Sequence, residues 1–395
     1  MREAVIVSTA RTPLTKSHRG EFNATPAAQL AAFSVTAAVE RSGVDPAMFE
    51  DFILGCGNPD GFQGRNLGRQ TVLRAGLPLS VAGTTVTRFC ASGLQSIAIA
   101  AGRIVAEGVP AMIAGGVETI SGIRPGNNLP TDMDPWLVEH KPALYMAMID
   151  TADVVAQRYG ISREDQDGYS LLSQQRMAAA QENDYFKDEI VPMNVTYKVI
   201  KKDEEPYEQE AIADHDECNR PTTTLEGLAK LKPVFKTAEE GGTVTAGNAS
   251  QLSDGASTTL LMSADRAKAL GIEPLGVYRG TAVAGCQPDE MGIGPVYAVP
   301  KLLKQHGLTM DDIDIVELNE AFASQALYCQ RELGIPDEKL NPNGGSISIG
   351  HPFGMTGSRM TGHLLRELRR QGKRYGIVTM CIGGGQGLAS LFEAC

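Results

Sequence analysis

The chain has 395 residues, 42% of them hydrophobic and 21% charged, with a formal net charge of -11. That length fills two or three domains with large cores, and the balance is ordinary for a soluble globular protein. The acidity argues against nucleic acid or an anionic membrane as a partner, so an anionic substrate would need a local basic patch. Seven cysteines at 56, 90, 218, 286, 329, 381 and 395 are odd in number and contain no C-x-x-C pair. Neither a disulfide frame nor a metal site is expected, and a reducing compartment, the cytoplasm, is. No apolar run approaches the roughly 18 residues that a membrane span needs. The N-terminus runs straight into a strand with no secretory signal, and the ending Phe392-Glu393-Ala394-Cys395 reads as neither a peroxisomal address nor a prenylation box.

In chain order, residues 4–8 predict a strand and 27–42 a helix with Leu30, Phe33, Ala37 and Ala38 on one face. Residues 52–55 predict a strand, and 65–75 a helix stopped at Gly76. An apolar strand then leads through Val86-Thr87-Arg88-Phe89 to Cys90, and a helix starts at Ala91, where Leu94, Ile97, Ala98, Ala101, Ile104 and Val105 recur at helical spacing. Residues 111–115 predict a small-residue strand. From 120 to 250 the character changes. The stretch 121–135 is rich in Gly, Pro, Asn and Asp, helices are expected at 151–159 and 163–183 with Ser162 as N-cap, and 201–216 is strongly charged. The C-terminal part repeats the first plan: a helix at 297–305, a strand at 314–318, a helix at 321–333, a strand-like run Ser346–Ile349 into Gly350-His351, a helix over 357–370, and a strand at 376–380. Gly43 falls opposite Gly307, and Cys90 and His351 follow at nearly equal separations. Two copies of one α/β plan explain this, and place Cys90 and His351 at equivalent strand-to-helix turns that meet at the centre.

Cys90 at a helix N-terminus is expected to have a lowered thiol pKa and to act as a nucleophile. Four other clusters accompany it: Asn319-Glu320-Ala321-Phe322 where a strand meets a helix, the glycine-bracketed Gly350-His351-Pro352, Cys381 before Gly383-Gly384-Gly385, and the small polar turn Ala246-Gly247-Asn248-Ala249-Ser250. Singly, each has an ordinary structural explanation. Jointly they place two cysteines, a histidine and an asparagine at carboxyl ends of strands, where open α/β sheets bind ligands.

In these boxes, their order and their spacing, the chain resembles the thiolase family of acetyl-CoA C-acyltransferases over essentially its whole length. The resemblance implies the thiolase fold: two duplicated, α-β-α-β-α layered halves with an inserted loop domain. The division is residues 1–119 plus 251–273, a loop domain over 120–250, and 274–395. It implies reversible acyl transfer between CoA thioesters, with coenzyme A as substrate, no permanently bound cofactor, and a homodimer or homotetramer. Fatty acid metabolism and β-oxidation are the processes it suggests. Cys90 would carry the acyl group, His351 would activate it, Cys381 would be the second acid/base, and Asn319 would serve one oxyanion hole while the N–H groups of Cys90 and Gly383 form another. Ser250, Ala246, Met148 and Phe322 would line the acyl and pantetheine channel. Arg220, and with less weight Lys230 and Lys232, would meet the nucleotide. A decarboxylating ketoacyl synthase shares the fold but lacks a cysteine at the position of Cys381, and an inactive thiolase-like binding protein would have lost one of Cys90, His351 or Cys381. Many short-chain thiolases carry His-Met-Gly where this chain has Ala147-Met148-Ile149. Room beside Ala147, with a backbone stiffened by the β-branched Ile149, predicts acceptance of acyl groups longer than acetyl.

Overall fold

The computed structural model describes residues 2–123, 133–201 and 204–395. Most of the glycine- and proline-rich stretch at 121–135, and Lys202-Asp203 of the charged run, lie outside them. The N-terminal half runs β1 (Ala4–Arg11), β2 (Thr15–Lys16), α1 (Ala27–Ser42), β3 (Asp51–Cys56), α2 (Leu67–Arg74), β4 (Ala82–Val86), α3 (Ser92–Gly102) and β5 (Ala111–Thr119). The inserted region holds α4 (Pro135–His140), α5 (Met148–Tyr159), α6 (Arg163–Glu182), the hairpin β6 (Met193–Val199) and β7 (Tyr207–Ala213), and α7 (Leu225–Ala229). The chain returns through β8 (Ser253–Ser263) and α8 (Ala264–Ala269). It continues with β9 (Gly276–Gly285), α9 (Gly294–His306), β10 (Ile315–Leu318), α10 (Ala323–Leu333), the single turn α11 (Ser346–Ile349), α12 (Phe353–Gln371), β11 (Tyr375–Ile382) and β12 (Gln386–Ala394). The glycines aligned in sequence do the same work: Gly43 and Gly307 end α1 and α9 at φ 64° and 65°, a left-handed turn that only glycine adopts cheaply.

The strands join in the order β4-β3-β5-β8-β1-β9-β12-β11-β10. That order reads alike from both ends about the β1–β9 junction, which consists of three pairs, Ala4–Tyr278, Val5–Val277 and Ile6–Gly276. In each half the outer strands are parallel and the inner pairs antiparallel. The C-terminal counterpart of β4 shrinks to one parallel bridge between Leu340 and Val316. Three apolar cores stack the elements into five layers. Leu30, Val35 and Val72 of α1 and α2 cover one face of the N-terminal strands. Leu94, Ile97, Leu364 and Leu368 of α3 and α12 lie with strand residues of both halves. Val299, Leu302 and Ala326 of α9 and α10 cover the last face. The layers α-β-α-β-α are thus shared between the halves.

The two central helices touch backbone to backbone. A Cβ on Gly93 would stand 2.6 Å from the Gly354 carbonyl oxygen, and one on Gly357 would stand 2.5 Å from the Leu94 nitrogen. No side chain fits there, so glycine is required by the crossing. Cys90 and His351 stand the same number of residues upstream of Gly93 and Gly354, and the crossing therefore brings their turns together.

Two expectations are corrected. Ser346–Ile349 alternates like a strand but forms the helical turn α11, because its serine hydroxyls find buried acceptors, Ser346 on Asn319 Oδ1 (2.6 Å) and Ser348 on the Gly345 carbonyl (2.9 Å). His351 therefore does not follow a strand. The continuous helical run Phe89–Glu107 is long and apolar enough, by length and composition, to meet the criterion for a membrane span (19 residues, mean hydropathy 1.4), and half of it is buried in the molecule. Its apolarity serves the central layer, where both flanks of α3 are covered.

The inserted region is pinned by a buried ionic cluster. The guanidinium of Arg11 in β1 grips both oxygens of Asp216 (2.7 and 2.9 Å) and donates Nε–H to Glu189 (3.0 Å), whose other oxygen meets His363 of α12 at 2.6 Å. Removing one member would strand the others without water, a change that costs about 3–5 kcal/mol.

Candidate active site

Cys90 lies in a 3₁₀ turn, Phe89–Ala91, directly before α3. Phe89 holds φ at 44°, a strained value for a bulky residue. The Ser92 hydroxyl fastens the turn, accepting from Arg88 N–H (2.8 Å) and donating to the Phe89 carbonyl (2.7 Å). The residue as a whole is half-buried. The lowered pKa expected for it is not found: burial, and then the charge of Glu118, push it up to about 12. The N–H groups of Cys90 and Gly383 act on the sulfur in the opposite direction. One start of a helix does not outweigh desolvation plus a buried carboxylate.

Glu118 is the last residue but one of β5 and is fully buried. It accepts from the N–H groups of Gly57 (2.7 Å), Asn58 (3.1 Å) and Gly354 (2.8 Å) and from Gln63 Nε2 (2.6 Å). It joins a loop of the first half to the first turn of α12, beside both the Cys90 and His351 turns. Burial still raises its pKa. The sequence signal was present: a carboxylate closing the apolar run Ala111–Val117.

His351 is buried, and its ring lies in a directed chain. Ser346 donates to Asn319 Oδ1 (2.6 Å), which turns Asn319 Nδ2 toward His351 Nε2 (3.3 Å). Thr356 donates to the Pro352 carbonyl (2.9 Å), leaving its oxygen to accept from His351 Nδ1 (2.7 Å). The network assigns the proton to Nδ1 and the lone pair to Nε2. Burial, and then Arg359, push the imidazole down to about 3, so it is neutral near pH 7.

Cys381 sits next to the end of β11 and is fully buried. Burial raises its pKa well above the usual thiol value, and the thiols of Cys90, Cys329 and Cys286 add to the rise. After it, Gly384 and Gly385 take φ 81° and 86°, which turns the chain back into β12. Cys381 shares an apolar cluster with Met291, Ala321, Phe322 and Met148. A Cβ on Gly383 would lie 3.4 Å from Met148 Sδ and 3.7 Å from the Phe89 ring. The structure thus gathers Cys90, Cys381, Gly383, Met148 and Phe322 in one place, and Asn319 with His351 beside the same helix crossing.

The Ala246–Ser250 turn reaches the cluster through its backbone: Ser250 N–H donates to the Ala321 carbonyl (2.9 Å), and Ala249 bridges Phe322. Ala246 is exposed there and accepts from Gln251 Nε2 (3.3 Å). Arg220 is exposed, anchored by its peptide N–H to Gln174 (2.8 Å). Lys230 pairs with Glu226 on α7 (2.5 Å), and Lys232 is exposed. Among the described residues no contact ties these three cations to Cys90, His351 or Cys381. Ala147 is the exposed N-cap residue of α5, and the half-buried Ile149 is in that helix's first turn. Right-handed helical backbone suits isoleucine, so the argument from a stiffened backbone has no force there. Besides Glu118, sequence reasoning passed over Thr356 and Gln325, whose partners come from distant segments or from one side of a helix.

A family model for the thiolase N-terminal domain matches residues 4–265, and one for the thiolase C-terminal domain matches residues 272–394. The chain is 47% identical to the 3-ketoacyl-CoA thiolase of Bacillus subtilis (strain 168) over 395 residues, covering 100% of both chains. It is 42% identical to the acetyl-CoA acetyltransferase of Chromobacterium violaceum over 404 aligned positions, covering 99% of each. The crystal structure of human mitochondrial 3-ketoacyl-CoA thiolase in complex with CoA superimposes with a TM-score of 0.87 at 38% identity, covering 100% of this chain and 98% of that one. The fold, the site and these full-length likenesses agree: the chain belongs to the thiolase family, the acyltransferases that use coenzyme A as substrate.

Proposed function

We propose that this thiolase moves acyl groups between CoA and 3-ketoacyl-CoA through a thioester on Cys90. The observation that carries the reading is the meeting of Cys90 and Cys381 beside the Gly383 N–H, with a neutral His351 across the α3–α12 crossing. His351 Nε2 takes the Cys90 proton, and the sulfur adds to the thioester carbonyl. The N–H groups of Cys90 and Gly383 hold the oxyanion, and each such donor is worth about 3 kcal/mol. The C–S bond to CoA breaks, and Cys381 gives its proton to the departing CoA sulfur. The Cys381 thiolate then takes the α-proton of a second thioester, and the enolate attacks the acyl-Cys90; the C–S bond to Cys90 breaks, and the departing sulfur takes its proton back from His351. Asn319 Nδ2 and, once it carries the Cys90 proton, His351 Nε2, 3.3 Å apart, are the donors we assign to the enolate oxygen. Thiolysis is the same sequence reversed.

The assignment of 120–250 as the domain over this site, and of Ser250, Ala246 and Arg220 to CoA, belongs to the same proposal. So does the homo-oligomer: among the described residues no strand pairs with the outer edge of β4, and Leu73 and Leu79 are exposed. The curated likeness to 3-ketoacyl-CoA thiolases supports substrates longer than acetoacetyl-CoA and a place in fatty-acid breakdown, and free thiols such as exposed Cys395 fit the cytoplasm. The test is the kcat/KM for thiolysis across 3-ketoacyl-CoA of rising chain length. Turnover that holds or rises beyond four carbons supports the reading, and a steep fall restricts the enzyme to acetoacetyl-CoA.

A further inference from the structure

Gln325 lies in the first turn of α10 with none of its surface exposed. Its Oε1 accepts from the backbone N–H groups of Ala321 (3.0 Å) and Phe322 (3.4 Å). The same oxygen lies 3.9 Å from Cys381 Sγ, within reach of a thiol donor. Two peptide donors on one oxygen fix the amide's orientation, so it cannot turn its nitrogen to the sulfur without losing both. Packing also holds the side chain, since a Cβ on Gly292 would come within 2.6 Å of Gln325 Cβ.

We infer that Gln325 is a positioning residue for proton transfer at Cys381, offering the thiol an acceptor that fixes where its S–H points and favours the protonated sulfur. This rests on the proposed role of Cys381. An acceptor facing the neutral form makes the conjugate thiolate a stronger base. That is what removal of a thioester α-proton requires: the C–H bond breaks, the S–H bond forms, and the electron pair stays on carbon as the enolate. The groups that titrate near Cys381 are the thiols of Cys90, Cys329 and Cys286, on the turn before α3, on α10 and after β9. Gln325 supplies the polar acceptor from α10. It also holds the backbone of the Asn319–Phe322 box, so one amide aligns both sides of the proton's path.

The test uses the full-length enzyme, with two readouts: acetyl loading of Cys90 from acetyl-CoA, and exchange of acetyl-CoA methyl protons with deuterium oxide. Gln325→Glu keeps an acceptor for both peptide N–H groups but sets a negative charge beside Cys381. Its pH profile for exchange should move upward by about one unit or more, while the final extent of Cys90 acetylation, read after the slower loading is complete, stays within about twofold of wild type. Gln325→Met should slow exchange about tenfold or more while KM changes little. A Gln325→Glu profile that is unmoved, or moved downward, overturns the inference. So does an equal fall of loading and exchange in that variant, the mark of a role in folding alone. Cys381→Ala separates the two layers: exchange that survives in it refutes the role of Cys381 itself, whereas loss there with an unmoved Gln325→Glu profile refutes only Gln325.

Discussion

The two cysteines of the proposed reaction, Cys90 and Cys381, sit in different surroundings. Cys90 is half-buried on a strained turn, and peptide N–H groups of two segments act on its sulfur. Cys381 is fully buried at a strand end, where an amide oxygen and three other thiols face it. Burial raises both pKa values, but donors oppose the rise mainly at Cys90. The difference supports the proposed division of work. A sulfur near donors can become an anion when a neighbouring neutral imidazole takes its proton. A sulfur near an acceptor rests as a thiol and, once deprotonated, is a strong base. In the proposed reaction an arranged proton path supplies the reactivity, and a resting thiolate is not needed.

The contrast breaks most sharply at the nucleophile. Cys90→Ser should lower kcat/KM for thiolysis at least about a thousandfold, and steady-state assays that find a loss under tenfold would dismiss it as the acyl carrier. Asn319→Ala should come next. It removes the donor facing His351 Nε2 and the acceptor for Ser346, and kcat should fall about a hundredfold with KM nearly unchanged; a change in KM alone would make Asn319 a binding group. Met148→Ala should act more weakly. Opening the wall beside Gly383 and Cys381 should shift the ratio of kcat/KM between neighbouring chain lengths by about tenfold or less, while loading of Cys90 persists. The smallest effect concerns pH. His351 is pushed down to about 3, so its charged form appears only in strong acid. The loading step should therefore show no acid limb near about 6.5, the ordinary histidine value, and a limb there would mean that the ring is charged in the working site.

Local pattern carried much of the fold into view. The helix at 27–42 was legible to the residue, because alanines and an apolar stripe precede a glycine stop. The duplicated plan was legible through Gly43 and Gly307. Ser346–Ile349 was misread because alternation of serine and isoleucine mimics a strand when the buried acceptors for the hydroxyls are unknown. The pKa of Cys90 was misread for a related reason. Its helix position is local, but Glu118 reaches it from another strand. Gln325 stayed hidden because its partner Cys381 is brought to it only by the packing of α10 against the end of β11. The proposed catalytic residues were named from their boxes, whereas what sets their protonation comes from contacts distant in sequence.

The central claim is that Cys90 carries the acyl group while Cys381 moves the proton. Mass spectrometry of Cys381→Ala after mixing with acetyl-CoA, alongside deuterium exchange of the acetyl-CoA methyl group, tests it most directly. The account predicts one acetyl on the peptide containing Cys90 and exchange reduced at least about a hundredfold. Wild-type exchange in that variant, or acetyl found on Cys381 in the unaltered enzyme, would contradict it.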